Sequence, residues 1–184
     1  MAATATWYAD HGTQTGSPTK GTSRDAASDV NWKNADVQAT AYTAAPITSG
    51  SHSFEIWLSC KFTASSFNNI SAGLFAHTLT AFGSNLTLKG PASCTSDGTR
   101  LLYTTPSTTA NTNLTTDMTT AVAIGSGVTV YFSATGPEAT GKAATLDGTV
   151  DRYTNFLTTQ LQTAAGVAAG DTAQVTLTLQ YNEN

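Results

Sequence analysis

An all-β domain is the fold this sequence predicts: a two-sheet sandwich of jelly-roll or immunoglobulin-like type with an extended N-terminal arm. Three observations carry it. Apolar and polar residues alternate over several short runs, with the period of two that gives a strand one buried face. Turn-forming stretches separate those runs, among them Asp97-Gly98, Gly125-Ser126-Gly127, Gly136-Pro137 and Asp147-Gly148. Threonine supplies roughly a fifth of the 184 residues, with much Ala, Ser, Gly and Asn, a mixture that favours strands and turns over helices.

The first third, to about Ser53, holds only short apolar pieces around Trp7-Tyr8, Val30-Asn31-Trp32 and Val37, and reads as an extended arm with one or two short strands. The arm is assigned to residues 1–28 and the sandwich to 29–184. From Phe54 the pattern sharpens. Phe54, Ile56, Leu58, Cys60 and Phe62 alternate with Glu55, Trp57, Ser59, Lys61 and Thr63, predicting a core strand whose second set faces outward. Phe67-Asn68-Asn69-Ile70 supplies a turn, and Leu74-Phe75-Ala76-His77, Leu86-Thr87-Leu88 and Leu101-Leu102-Tyr103 predict further short strands.

Residues 104–120 are nearly all Thr, Asn, Ser and Ala; they offer little to bury and predict an exposed loop. Val128, Val130 and Phe132 alternate with Thr129, Tyr131 and Ser133 as a single strand. From Tyr153 to Leu161 the pattern permits a strand or a short amphipathic helix, with the strand favoured. The most regular run closes the chain: Ala173, Val175, Leu177, Leu179 and Tyr181 on one side, Gln174, Thr176, Thr178 and Gln180 on the other.

Charged residues make up 11% of the chain, well under the quarter or so usual in globular domains, so the surface is expected to be neutral and rich in hydroxyls. The net charge is −4, and the eight Lys and Arg are scattered singly. No basic patch is there to neutralise phosphates, which argues against nucleic-acid binding. No apolar run approaches the roughly 18 residues of a membrane span, and residues 1–8 lack the basic and apolar regions of a signal peptide. No membrane contact is expected, and synthesis in a cytoplasm is. Cys60 and Cys94 are the only cysteines, lack CxxC spacing, and read as reduced, packed or incidental thiols.

No Gly-x-Ser-x-Gly elbow, P-loop, dinucleotide fingerprint or His-Glu-x-x-His helix occurs, so no enzymatic activity is expected. His11, His52 and His77 lie far apart in sequence and read as loop or surface residues, not zinc ligands. The aspartates lie mostly in loop-like stretches without Asp-x-Asp-x-Asp spacing, so neither metal nor cofactor is expected. Glu55 on an outward strand face, Glu138 in a loop and Glu183 in the tail do not form the facing carboxylate pair of a glycosidase. The aromatic residues stand out more. Trp7, Tyr8 and Trp32 supply anchor area for a partner, and Trp57, out of phase with Phe54, Ile56 and Leu58, is a candidate interface or glycan contact, interface or packing being preferred. Three Asn-x-Ser/Thr matches, at Asn69, Asn85 and Asn113, carry no weight in a Thr-rich chain.

Read in order, Val30-Asn31-Trp32-Lys33-Asn34-Ala35-Asp36, Pro46-Ile47, Ser53 to Lys61 and Phe67-Asn68-Asn69-Ile70-Ser71 resemble a pattern of small virion proteins of tailed bacteriophages. Tyr103-Thr104-Thr105-Pro106, Gln160-Leu161-Gln162, Ala168 to Thr172 and Thr176 to Glu183 continue it, so the resemblance spans about residues 30 to 184. Where the family ends in an aromatic followed by two acids, this chain has Tyr181-Asn182-Glu183. The resemblance implies a β-sandwich made in the bacterial host cytoplasm and located in the virion. There it would act as a capsid decoration or cement protein that binds the major capsid protein or other virion proteins, as a homo-oligomer with a trimer favoured. The alternative it leaves open is a tail, neck or fibre-associated module that binds host-surface carbohydrate. It implies no catalytic residues.

Overall fold

The alternation between Phe54 and Thr63 forms a strand, β3 (Ile56–Phe62), with neighbours along both edges. The computed structural model describes residues 3–11, 23–26, 31–35, 40–77, 85–90, 114–118, 128–130, 132–133, 145–167 and 177–183. Along one edge of β3 runs β1 (Ala5–His11), with Ala5 opposite Phe62 and Asp10 opposite Trp57, and β2 (Ser23–Ala26) pairs with β1 in turn. Along the other edge run β10 (Arg152–Thr154) and β11 (Leu157–Thr163). Beyond them β8 (Phe132–Ser133) pairs β10, β5 (Leu86–Gly90) pairs β11, and β6 (Thr116–Asp117) pairs β5, completing an eight-stranded sheet.

A four-stranded sheet is built on β4 (Asn69–His77): β12 (Leu177–Glu183) lies on one edge, and β7 (Val128–Val130) and β9 (Thr145–Asp147) on the other. Every pairing among the described strands is antiparallel. The described residues contain no α-helix, only a 3-10 turn at Tyr42–Ala44. The described part of the chain is all-β, as composition and alternation predict.

The apolar face of β3 points to a core shared by both sheets. Ile56, Leu58, Cys60 and Phe62 cluster with Ala9 of β1, Leu88 of β5, Leu157 and Leu161 of β11 and Ile70 of β4, while Leu177, Leu179 and Tyr181 of β12 pack against them. Phe62 is the hub. Its ring meets Tyr181 at 5.0 Å, Phe67 at 5.9 Å and Phe132 at 6.0 Å, each edge to face. Such contacts add about 0.5–1.5 kcal/mol apiece to the burial itself, so this ring binds one sheet to the other.

The strand passes from one sheet to the other at β3–β4 and again at β9–β10, and the two crossings clasp each other. Ser65 N–H donates to Gly148 O at 3.0 Å, Gly148 N–H to Asn68 O at 2.7 Å, and Ala64 N–H to Asp151 Oδ1 at 2.8 Å. Glycine is required at 148 for space: a Cβ there would lie 1.9 Å from Phe67 O. The Asp147-Gly148 turn read from sequence is thus a corner of the fold, positioned by close backbone approach.

Several expectations need correction. Within residues 1–28, read as an extended arm with one or two short strands, β1 and β2 form and pair into the larger sheet with Ala9 fully buried, a half-polar strand gaining its ladder by lying along β3. The Thr-rich stretch 104–120, expected to be exposed, contains β6 and buries Leu114 and Met118; Met118 N–H donates to Leu88 O. Gly90 makes room for that side chain, since a Cβ there would lie 2.4 Å from Met118 Sδ. The single strand read through Val128–Phe132 divides between the sheets, β7 pairing β4 and β8 pairing β10. The strand favoured over a helix from Tyr153 to Leu161 is present as β10 and β11. The expectations at Val30, Val37, Cys94, Asp97-Gly98, Leu101–Tyr103, Gly125–Gly127, Gly136-Pro137, Ala173 and Val175 lie outside the described residues.

Candidate functional site

Trp57 is the residue that the sequence singles out as outward-facing, and it is wholly enclosed, at 0% exposure. A bulge in the neighbouring strand supplies one of the rings against it. Arg152 and Tyr153 stand opposite Phe62 and Lys61, whereas Leu157 stands opposite Leu58, so Thr154, Asn155 and Phe156 face only Cys60 and Ser59. Thr154 Oγ1 accepts the Cys60 N–H at 2.8 Å within this bulge. The extra residue turns Phe156 to the side of Trp57, and the two rings meet edge to face with centroids 5.1 Å apart.

Around that pair the sheet's second face is buried and largely polar. Glu55, Ser59, Asn155, Thr158 and Gln160 are each at most 1% exposed. The expectation that Glu55 and Trp57 face outward is therefore corrected: both faces of β3 are covered, and period-two alternation reports which side a residue takes, not whether that side is open. Gln160 Nε2 donates to Ser53 O at 3.2 Å and Gln162 Nε2 to Gln160 Oε1 at 3.1 Å, so amide side chains run a secondary ladder across this face. A sugar-stacking platform needs an open ring face, which Trp57 does not present.

The other three aromatic candidates are not brought together. Trp7, in register with Cys60, packs half-buried against the shared core. Trp32 does the same, and its indole N–H donates to Thr159 Oγ1 at 3.0 Å, whose hydroxyl is 3.3 Å from Ile56 O. Tyr8, in register with Ser59, is half-buried on the opposite face. The area of Trp7 and Trp32 is thus partly invested in the chain's own core.

The charged groups tie strands and corners. Lys61 Nζ lies 2.6 Å from Asp151 Oδ2 and 5.9 Å from the Tyr153 ring centroid. The hydrogen bond from Lys61, followed by that from Ala64 N–H, holds Asp151 below the ordinary carboxylate range, and the same contact with Asp151 raises Lys61. Asp147 Oδ1 accepts from the hydroxyl and N–H of Thr149 and, at 2.6 Å, from Arg152 Nη2, and these bonds draw its carboxyl down to about 2. Arg152 also donates through Nε to Asp147 O at 2.8 Å. Lys33, buried, donates to Thr40 O, and burial lowers its ammonium. Glu183 Oε2 accepts Ala3 N–H at 2.8 Å, joining β12 to the residues before β1.

Burial pushes the Cys60 thiol far up, as expected of a packed, unreactive cysteine. His52, read as a loop or surface residue, is 8% exposed and accepts the Thr163 N–H through Nδ1 at 3.1 Å. Sequence reading missed it, together with Leu114, Met118 and the Asn155-Phe156 bulge. Leu114 and Met118 had a signal: they are the only large apolar side chains from residue 104 to 120. Among the described residues no three His, Cys, Asp or Glu converge as metal ligands, and no helix is long and apolar enough to cross a membrane. No protein-family model matches the chain, and neither does any curated protein or solved structure.

Proposed function

We propose that this chain is a structural protein of a tailed-bacteriophage virion, a decoration or cement protein that binds the major capsid protein lattice as a homo-oligomer, with a trimer favoured. The observation that carries this reading is the use to which the charged side chains are put. Lys61–Asp151, Arg152–Asp147, Lys33–Thr40 and Glu183–Ala3 each fasten one segment to another within the chain. Chemistry spent on cross-links suits a part that resists deformation. The two sheets are read as the layers of a sandwich of jelly-roll or immunoglobulin-like type, which offers a stiff body with neutral, hydroxyl-rich surfaces.

On a shell strained by packaged DNA, such subunits would add burial across the joints between capsid proteins, and specific contacts of this kind need roughly 1,000 Å² or more in total. With Trp7 and Trp32 packed partly inside the fold, the contact surface would be formed by the folded domain, with Tyr8 as one accessible aromatic. Cryo-electron microscopy of the particle that carries this chain tests the reading. Density at regular capsid sites, in numbers tied to the lattice, supports decoration. Density only at a neck, tail or fibre moves the protein to that part of the virion, and absence from the particle sinks the assignment.

A further inference from the structure

The segment ahead of β3 is fastened to β11 by side chains as much as by backbone. Ser53 N–H donates to Leu161 O and Ser53 Oγ accepts Leu161 N–H, both at 2.9 Å. One step outward, His52 stands opposite Gln162 in an isolated antiparallel bridge, its Nδ1 adds a side-chain acceptor for Thr163 N–H at 3.1 Å, and the Thr163 hydroxyl donates to Ser51 O. At the end of the row Ser49 Oγ accepts Gly166 N–H at 3.0 Å, where Gly50 and Gly166 turn the two segments with φ of 75° and 87°. Among these bonds, only the one at His52 involves a group that titrates near neutral pH. A ring nitrogen that accepts an N–H carries no proton, so the closed arrangement requires neutral imidazole with its proton on Nε2.

The ionisable groups on the surrounding described elements are few. β11 has none from Leu157 to Thr163, and residues 164–167 have none. β5 contributes Lys89, in register with Gln160; the segment itself carries Tyr42 and continues to Glu55, and residues 31–35, joined to it by Phe54 N–H to Lys33 O, carry Lys33. We propose that His52 is an acid-sensitive clasp: a proton taken up at Nδ1 removes the side-chain acceptor for Thr163 N–H, sets an imidazolium N–H against that donor and frees Ser49–His52 from Thr163–Gly166, while the Ser53–Leu161 pair holds. Opening takes up one proton, so its equilibrium constant rises about tenfold for each pH unit below the ordinary imidazole value of about 6.5.

Amide hydrogen exchange in the full chain, followed residue by residue from about pH 7.5 to about pH 5, tests the clasp, with Leu161 as internal reference and H52N as the non-titrating variant whose side-chain oxygen can accept the same bond. Protection of Thr163 and Gly166 is expected to fall at least about tenfold relative to Leu161 in the native sequence, and to stay level in H52N. The proposal is overturned if Thr163 tracks Leu161 throughout, if H52N keeps the acid step, or if imidazole nitrogen shifts show the proton on Nδ1 at the upper pH.

Discussion

Trp57 and Phe156 meet edge to face, with ring planes at 67°, on the side of β3 turned away from the shared core. Both rings are fully buried, so the larger sheet carries a second packing layer, smaller than the core and framed by polar side chains. Truncating Trp57 to Ala removes that layer's largest side chain and is expected to cost about 3–5 kcal/mol, the range for large aromatic deletions in packed sites. Urea unfolding of Trp57→Ala and the milder Trp57→Phe measures it; an unchanged midpoint in Trp57→Ala would mean that the ring is not a packing element.

Gly148 sits where two inter-sheet crossings touch, and a methyl group there collides with Phe67 O. Because the obstacle is backbone, relief requires moving the corner itself. Gly148→Ala is expected to lose about 1–3 kcal/mol, read as a lower denaturation midpoint at unchanged m-value.

The Asp147 carboxyl is held at about 2 by Thr149 and Arg152, below the value of about 3.9 of an unfolded chain. A depressed folded-state value means that the stabilisation is complete above the unfolded value and disappears as pH falls towards the folded one. Melting temperature is therefore expected to fall more steeply between about pH 4 and about pH 2 in the native sequence than in Asp147→Asn, which has no carboxyl to protonate. Parallel slopes for the two proteins would show that the turn contributes nothing of this kind.

Deleting residues 1–28 removes β1 and β2 and strips the whole register from Ala5 to Asp10 off one edge of β3. The truncated chain is expected to lose cooperative folding, seen as loss of a sharp thermal transition and of near-ultraviolet circular dichroism. A folded truncation product would restore the arm as a separate appendage.

Cys60 is fully buried, with its thiol pushed up by burial. Alkylation under native conditions should leave the peptide containing Cys60 unmodified, and labelling should appear only with denaturant, as read by peptide mass spectrometry. Rapid native labelling would mean that the core at β3 opens readily.

The class of structure and several of its parts are legible in the residues alone. Alternation around Ile56–Phe62 and Leu177–Tyr181, the excess of threonine and the Asp147-Gly148 turn are local properties, written in neighbouring residues, and strands and a turn formed there. What lies over each side of a strand is decided by residues far away in the chain. What covers the face carrying Glu55 and Trp57, where the bulge at Asn155 brings Phe156 against Trp57, and where the short strands of the first third find their ladder were decided by the tertiary structure. Met118 shows the same division. In a run of Thr and Asn it looks too isolated to matter, yet Gly90, 28 residues earlier, leaves the space that lets it join the core. Period is a property of a segment; burial is a property of the contacts it finds.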